Sequence, residues 1–151
     1  MRLPLRGACC VPLASNVMQL ETQPFDTPTT VEHGSDVAEV HFAAGRLEVL
    51  VASSSAGEGR FNGLRITFPE ACGFRMLDEA DFARYWAYPG FRHGHHVLSV
   101  VGGGWRSEES TLQGLPRNEG NEWLIVTGNR CVSVLSSEAP QVVGGEFDDA
   151  A

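Results

Sequence analysis

The stretch EWLIVTGNRCVSVL, residues 122–135, decides the fold class of this chain. Two near-continuous apolar runs, WLIV and CVSVL, flank the dipeptide Gly128-Asn129, which is compatible with a tight two-residue turn. Strands that are covered on both faces have continuous apolar runs rather than a strict alternation. The stretch therefore predicts a β-hairpin in the middle of a sheet.

An alternating hairpin is predicted near the start of the domain. Apolar and polar residues alternate over residues 37–43 and 46–52, on either side of the turn Ala44-Gly45. The inward side chains would be Ala38, Val40, Phe42, Leu47, Val49 and Val51. The following segment SSSAGEGR, residues 53–60, has the composition of a flexible loop.

A second alternating hairpin is predicted over residues 61–76, with a break at Pro69-Glu70. Its inward side chains would be Leu64, Ile66, Phe68, Cys72, Phe74 and Met76, with Arg75 on the opposite face. One more strand is predicted over residues 95–101. It ends at three consecutive glycines, residues 102–104, which indicate a turn or bulge that ends an edge strand.

The hydrophobic period changes to a helical one only once. Three acids within residues 78–81 are typical of the first turn of a helix, where negative charge is favoured. Phe82 and Trp86 are four residues apart and would form its buried face, with Trp86 in the core. The polar segment of residues 105–121 lacks a helical apolar period and predicts a long loop.

These elements predict an α+β fold, with a mostly antiparallel, curved sheet of about seven strands and one short helix packed on it. A chain of 151 residues and 16.3 kDa suits a single domain, which we place at residues 37–136. Residues 18–36 would be an extended lead-in, and residues 137–151 an acidic flexible tail. Residues 1–17 show no usable period and would be a non-domain extension, with Met18 as the natural start.

The charge of the chain excludes several classes of function. Nineteen acids against eleven bases, all of them arginine, give a formal net charge of −8. Few and scattered cations argue against a nucleic-acid binder and against an anionic membrane surface. The absence of lysine removes Schiff-base chemistry and the phosphate-binding loop with its lysine. An acidic protein favours a basic partner.

The cysteines and the apolar runs indicate a cytoplasmic protein. Cys9 and Cys10 are adjacent within the extension, whereas Cys72 and Cys131 lie in strand-like apolar runs. A free cysteine in such a run behaves as a small hydrophobic residue, and reduced cysteines are usual in the cytosol. No apolar run approaches the roughly 20 residues that are needed to cross a bilayer.

The densest group of potential metal ligands is His93, His95 and His96. Imidazoles bind zinc, nickel or copper, and Cys72, Cys131 or a carboxylate could complete such a site. However, adjacent residues in a strand point to opposite faces, so His95 and His96 cannot share an ion there. We therefore expect no metal and no other cofactor, and keep a small enzyme or metalloprotein centred on these histidines as the alternative.

Three stretches, GFRMLDEADFARYW (73–86), GGGW (102–105) and EWLIVTGNRCVSVL (122–135), resemble a family of small, mostly uncharacterised bacterial proteins. Some members of that family accompany polymorphic toxins as immunity-type proteins. The resemblance covers residues 37–136 and implies a binding protein, with no catalytic residue to carry over.

Charge and resemblance together predict a non-enzymatic protein-binding module, in the narrowest version an immunity-type inhibitor of a basic bacterial toxin or enzyme. Trp105, Glu108 and Glu109, in the predicted loop after Gly104, would contact the partner. A deep apolar cavity would instead indicate a ligand-holding barrel.

Overall fold

The computed structural model describes residues 19–25, 30–91, 94–114 and 120–149. The predicted extension of residues 1–17, which contains Cys9 and Cys10, lies outside these residues. The predicted natural start, Met18, lies outside them as well. The described elements, in chain order, are β1 (Glu21–Pro24), β2 (Asp36–Ala43), β3 (Arg46–Gly57), β4 (Arg60–Phe68), β5 (Ala71–Leu77), α1 (Glu79–Trp86), β6 (Val97–Gly102), α2 (Trp105–Gln113), β7 (Asn121–Val126), β8 (Cys131–Ser136) and β9 (Gln141–Asp148).

The strands form two antiparallel sheets. The first has the order β1-β6-β7-β8-β5, and the second has the order β2-β3-β4-β9. The α+β class with mostly antiparallel pairing is therefore confirmed. The described residues contain nine strands and two helices, rather than about seven strands in one curved sheet and one helix.

The hairpin that decided the fold class is confirmed. Strands β7 and β8 pair around Gly128-Asn129 and lie inside the first sheet, and five of the six residues of β7 and all of β8 are buried. One face of the sheet packs on the second sheet around Val49, Ile66, Trp123 and Val134. The other face packs on α1 around Leu98, Leu124, Phe82 and Tyr85. The continuous apolar runs therefore supply two separate cores.

The first alternating hairpin forms as β2 and β3, but a bulge changes the inward set of β2. Leu47, Val49 and Val51 of β3 are fully buried, as predicted. The register shifts between Val37 and Glu39, and a bulge turns the following side chain away from the core. Ala38 and Phe42, which were predicted inward, are exposed, because β2 is bulged and lies at the edge of its sheet.

The loop predicted over residues 53–60 is wrong. Strand β3 continues to Gly57, with register shifts between Ala52 and Ser54 and between Ser55 and Gly57, and β4 begins at Arg60. Glu58 and Gly59 have positive φ values of 50° and 72° and form a two-residue turn between Gly57 and Arg60, which pair with each other. Gly57 also has a positive φ value, of 83°. The glycines and serines of this segment therefore serve a bulged hairpin end.

The flexible tail predicted from residue 137 onward is also wrong over β9. Strand β9 pairs with β4 from Thr67↔Gln141 to Arg60↔Asp148 and protects what would be an open sheet edge. Phe147 packs on Phe61, with ring centroids 5.9 Å apart, while its neighbours Glu146 and Asp148 are exposed. The sequence QVVGGEFD does not indicate a strand, because its two glycines and two acids interrupt the pattern of apolar residues that is typical of strands.

Strand β5 presents its side chains differently from the prediction. Leu64, Ile66 and Phe68 of β4 are buried as expected, but Cys72, Phe74 and Met76 of β5 are exposed. The reason is that β5 is an edge strand of the first sheet. Arg75 points to the opposite face and is half-buried there. Neither helix of the described residues is long and apolar enough to cross a membrane.

Candidate functional site

Helix α1 begins at the predicted acids. Asp78 is its N-cap, and the Asp78 side chain accepts a hydrogen bond of 2.9 Å from the backbone N–H of Asp81. Phe82 and Tyr85 form the buried face, whereas Trp86 is 50% exposed. The core assignment of Trp86 is therefore wrong, because a face centred on residues 82 and 85 leaves position 86 at its margin.

The segment predicted as a long loop contains helix α2. Its first turn is held by Glu122, a buried carboxylate that accepts hydrogen bonds from the backbone N–H groups of Trp105 (2.7 Å) and Arg106 (2.9 Å). Burial raises the pKa of Glu122, and these two N–H groups oppose the rise. A helix normally receives such a cap from its own N-terminal residues. Here the acceptor comes from β7, so the local sequence gave no sign of it.

The glycines before α2 permit this arrangement. A Cβ atom on Gly104 would lie 2.3 Å from Oε1 of Glu122, so a side chain there would displace the capping carboxylate. Gly103 has a φ of 71°, which favours glycine. The run of glycines therefore leads into a helix, and β6 before it is an interior strand rather than an edge strand.

A polar network centred on Arg75 joins β5 to both helices. Arg75 Nη1 donates a hydrogen bond of 2.9 Å to Oε2 of Glu108, and its other terminal nitrogen donates to the Tyr85 hydroxyl. That hydroxyl in turn donates to Oε1 of Glu108 at 2.9 Å. Burial raises the pKa of Tyr85 to about 12, against the opposing charge of Arg75. The phenol therefore stays neutral near pH 7, and the network is suited to holding the helices in place.

The structure brings the three predicted binding residues together on the first two turns of α2. All three are half-buried. The ring of Trp105 lies under the Arg75 guanidinium, 5.1 Å from its centroid, and Trp105 Nε1 donates a hydrogen bond to Glu109 at 3.1 Å. Glu108 pairs with Arg75 and with Arg84. Each of these side chains already contacts its own chain, and their role in binding a partner stays a prediction.

The histidines and cysteines occupy separate places. His96 is fully buried, and its Nδ1 donates a hydrogen bond of 2.6 Å to the Val126 carbonyl, whereas His95 is half-buried just before β6. Among the residues that the structure describes, no three histidine, cysteine or acidic side chains are grouped to hold a metal ion. His93 lies outside these residues, so the histidine alternative stays a hypothesis.

Cys131 and Cys72 differ in their surroundings. Cys131 is fully buried as predicted, and burial raises the pKa of its thiol, which makes it a poor nucleophile. Cys72 was also predicted to be buried, but it is exposed on the edge strand β5. The exposure of Cys72 follows from the position of β5 at the sheet edge.

A recess of about 650 Å³ opens beside α1. Its walls are mostly apolar and include Phe82, Ala83, Trp86, Phe91, Val31 and Val126. The ring of Trp86 stacks on Phe91, with centroids 6.5 Å apart and an angle of 17° between the planes. Glu79 and His33 are the titratable residues of the lining within the described part of the chain.

Sequence reasoning missed this recess because its described lining comes from three distant segments, at residues 31 and 33, at residues 79–91 with 94, and at residues 126–128. The available signal was the density of aromatic residues over positions 82–91, of which Phe82 and Trp86 were predicted to form the buried face of α1. No family model, curated protein or solved structure matches this chain.

Proposed function

We propose that this chain is a small acidic, non-enzymatic module that binds a basic protein. The observation that carries the proposal is the imbalance of the exposed charges. Every exposed arginine of the described residues forms an ion pair with a carboxylate of its own chain; these are Arg46, Arg60, Arg65, Arg84 and Arg130. Within the described part of the chain, the exposed cations that could attract an acidic partner are therefore already paired with carboxylates.

Many exposed acids, in contrast, form no ion pair with any of the described residues. They include Glu32, Glu39, Asp78, Glu79, Asp81 and Glu138. Together with the net charge of −8, they give the surface a negative field. Such a field raises the rate at which a positively charged partner associates, and salt weakens the effect.

The resemblance of residues 37–136 to a family of small, mostly uncharacterised bacterial proteins, some of them immunity-type, supports a narrower form of the proposal. The partner would be a basic bacterial toxin or enzyme in the cytoplasm, and this chain would inhibit it by covering its surface. Buried carboxylates such as Glu122 serve the fold, so the binding charge resides in the exposed acids.

The product of the gene next to this one tests the proposal. If that product is basic and toxic, co-expression of this chain should restore growth, and the two proteins should form a complex. The association rate should fall about tenfold or more between low and physiological ionic strength, because surface charges beyond about 8 Å are then screened.

A charge variant sharpens the same experiment. Glu39→Gln with Glu138→Gln should slow association and flatten its salt dependence, since both acids are exposed and form no ion pair with the described residues. Gln23→Ala, which changes no charge at an exposed position, should leave the association rate and its salt dependence unchanged. A complex whose association rate is independent of salt, or no complex and no growth rescue, contradicts the proposal.

A further inference from the structure

We infer that the recess beside α1 receives an arginine or lysine side chain of the basic partner. The inference rests on the proposed function and adds to it the place of contact and the chemistry of the anchoring residue. The volume of about 650 Å³ is ample for a long side chain. Three features of the lining favour such a side chain.

The first feature is the distribution of apolar and acidic groups. The walls around Phe82, Ala83 and Val126 are apolar, and the carboxylate of Glu79 belongs to the same lining. Arginine and lysine have a long aliphatic stem and a charged end, so they bury the stem while the charge stays in a polar place. An apolar wall with an acid beside it matches both parts of the side chain.

The second feature is the ring of Trp86. Half of its surface is exposed, and it stacks on Phe91 along one wall of the recess. Tryptophan is the aromatic residue that attracts a cation most strongly, and the guanidinium of arginine also stacks on its flat face. The ring is therefore placed to contact the stem and the charged end of an entering arginine.

The third feature is the charge of the first turn of α1. Asp78, Glu79 and Asp81 are all exposed there, and none forms an ion pair with the residues the structure describes. The helix dipole adds about half a positive charge at the same place, which is less than the negative charge of the three carboxylates. The local field therefore attracts a cation.

A peptide titration tests the inference without the partner. The probe is an acetylated, amidated hexapeptide with two arginines, and its matched control has citrulline, which is uncharged and similar in shape, at both positions. At pH 8, where imidazoles are neutral, the indole N–H signal of Trp86 and the α1 amide signals should shift with the arginine peptide. The citrulline peptide should bind about threefold more weakly or worse, as the loss of an exposed cation–π contact and ion pair implies.

Matched variants locate the contact. Glu79→Gln and Trp86→Ala should each lower the affinity for the arginine peptide about threefold. Glu58→Gln removes the same charge at the turn between β3 and β4, and Phe42→Ala removes a ring of similar exposure (47%) from β2, so both variants should bind the arginine peptide like the unchanged protein. Glu79→Gln keeps the test valid if Trp86→Ala lowers the melting temperature too far, because Glu79 is exposed and the substitution removes no buried side chain.

The outcomes separate the inference from the proposed function. Equal binding of the citrulline peptide means that the recess holds an apolar ligand, and equal weakening by Glu58→Gln means that the attraction is not local; either result overturns the inference. If the neighbouring gene product still binds Trp86→Ala and Glu79→Gln with unchanged affinity, the inference fails while the proposed function stands. If that product does not bind the unchanged protein, the proposed function itself fails.

Discussion

His96 is a residue whose environment could not be inferred from its neighbours in the sequence. Its ring and its backbone both bind Val126: Nδ1 donates to the Val126 carbonyl at 2.6 Å, and the backbone N–H of Val126 donates to the His96 carbonyl at 2.7 Å. Nε2 is buried and makes no hydrogen bond of good geometry with the described residues, although the nearby Thr30 carbonyl favours a proton on the ring. Burial lowers the pKa of His96 by more than the Val126 and Thr30 carbonyls raise it.

This shift predicts how stability depends on pH. Above about pH 6.5, the ring is neutral in the folded and the unfolded chain, so it has no effect. Below that pH the unfolded chain takes up a proton that the folded chain does not, and the free energy of unfolding falls by at most about 1.4 kcal/mol per pH unit. Urea unfolding at pH 7.5 and 5.5 should therefore show a larger loss for the unchanged protein than for His96→Asn.

Asparagine is the suitable replacement because its amide can still donate to the Val126 carbonyl but does not titrate. Burial raises the pKa of Glu122, whose titration stabilises the fold as the pH falls, so the comparison is between variants rather than absolute curves. Parallel pH dependences of the two proteins would mean that His96 does not titrate differently on folding.

At the scale of elements, α2 depends on a carboxylate from another element. Glu122 in β7 accepts hydrogen bonds from the first two backbone N–H groups of α2. The Arg75 network also joins α2 to β5 and α1 through Glu108. A short helix with a weak apolar stripe is marginal without such tertiary contacts. The helix is therefore a consequence of the sheet rather than of its own sequence.

Glu122→Ala is accordingly expected to destabilise the protein by about 2 kcal/mol, because it removes a cap and leaves two N–H donors unsatisfied. The loss should appear locally as faster hydrogen exchange of the α2 amides, while the exchange of β3 and β4 changes less. Glu21→Ala, an exposed glutamate on β1, is the control and should change stability by less than about 0.5 kcal/mol. Unchanged exchange in α2 would show that the helix does not depend on Glu122.

At the scale of the whole molecule, β9 completes the second sheet by returning the C-terminal segment to β4. The pairing runs along most of β4, and Phe147 packs on Phe61 and under Arg65, whose guanidinium lies 4.9 Å from the ring centroid. Without β9, strand β4 would become an exposed sheet edge, which is a site for aggregation.

Deletion of residues 141–151 should therefore lower the melting temperature strongly or yield aggregated protein, because a long strand pairing is lost. Deletion of residues 150–151 alone is the control and should leave the melting temperature unchanged. Size-exclusion chromatography and thermal melts measure both effects. A monomeric deletion variant with an unchanged melting temperature would show that β9 is dispensable for the fold.

Both sheets could be anticipated only in part. Leu47, Val49 and Val51 were placed correctly because strict alternation identifies a face directly. Phe74 and Trp86 were misplaced because exposure at a sheet edge or a helix margin depends on which neighbours cover it. The recess was missed for the same reason, since no single segment contains its lining.

Local patterns in the sequence were sufficient to predict the antiparallel α+β class, the central hairpin of residues 122–135, the start of α1 at Asp78 and the acidic charge. These features are local, because they follow from apolar period, turn residues and composition. Long-range contacts, in contrast, form the second sheet with β9, helix α2, the Arg75 network and the recess beside α1. Each of these depends on contacts between residues far apart in the chain, and the free energy that forms them comes from packing and hydrogen bonds that no local pattern contains.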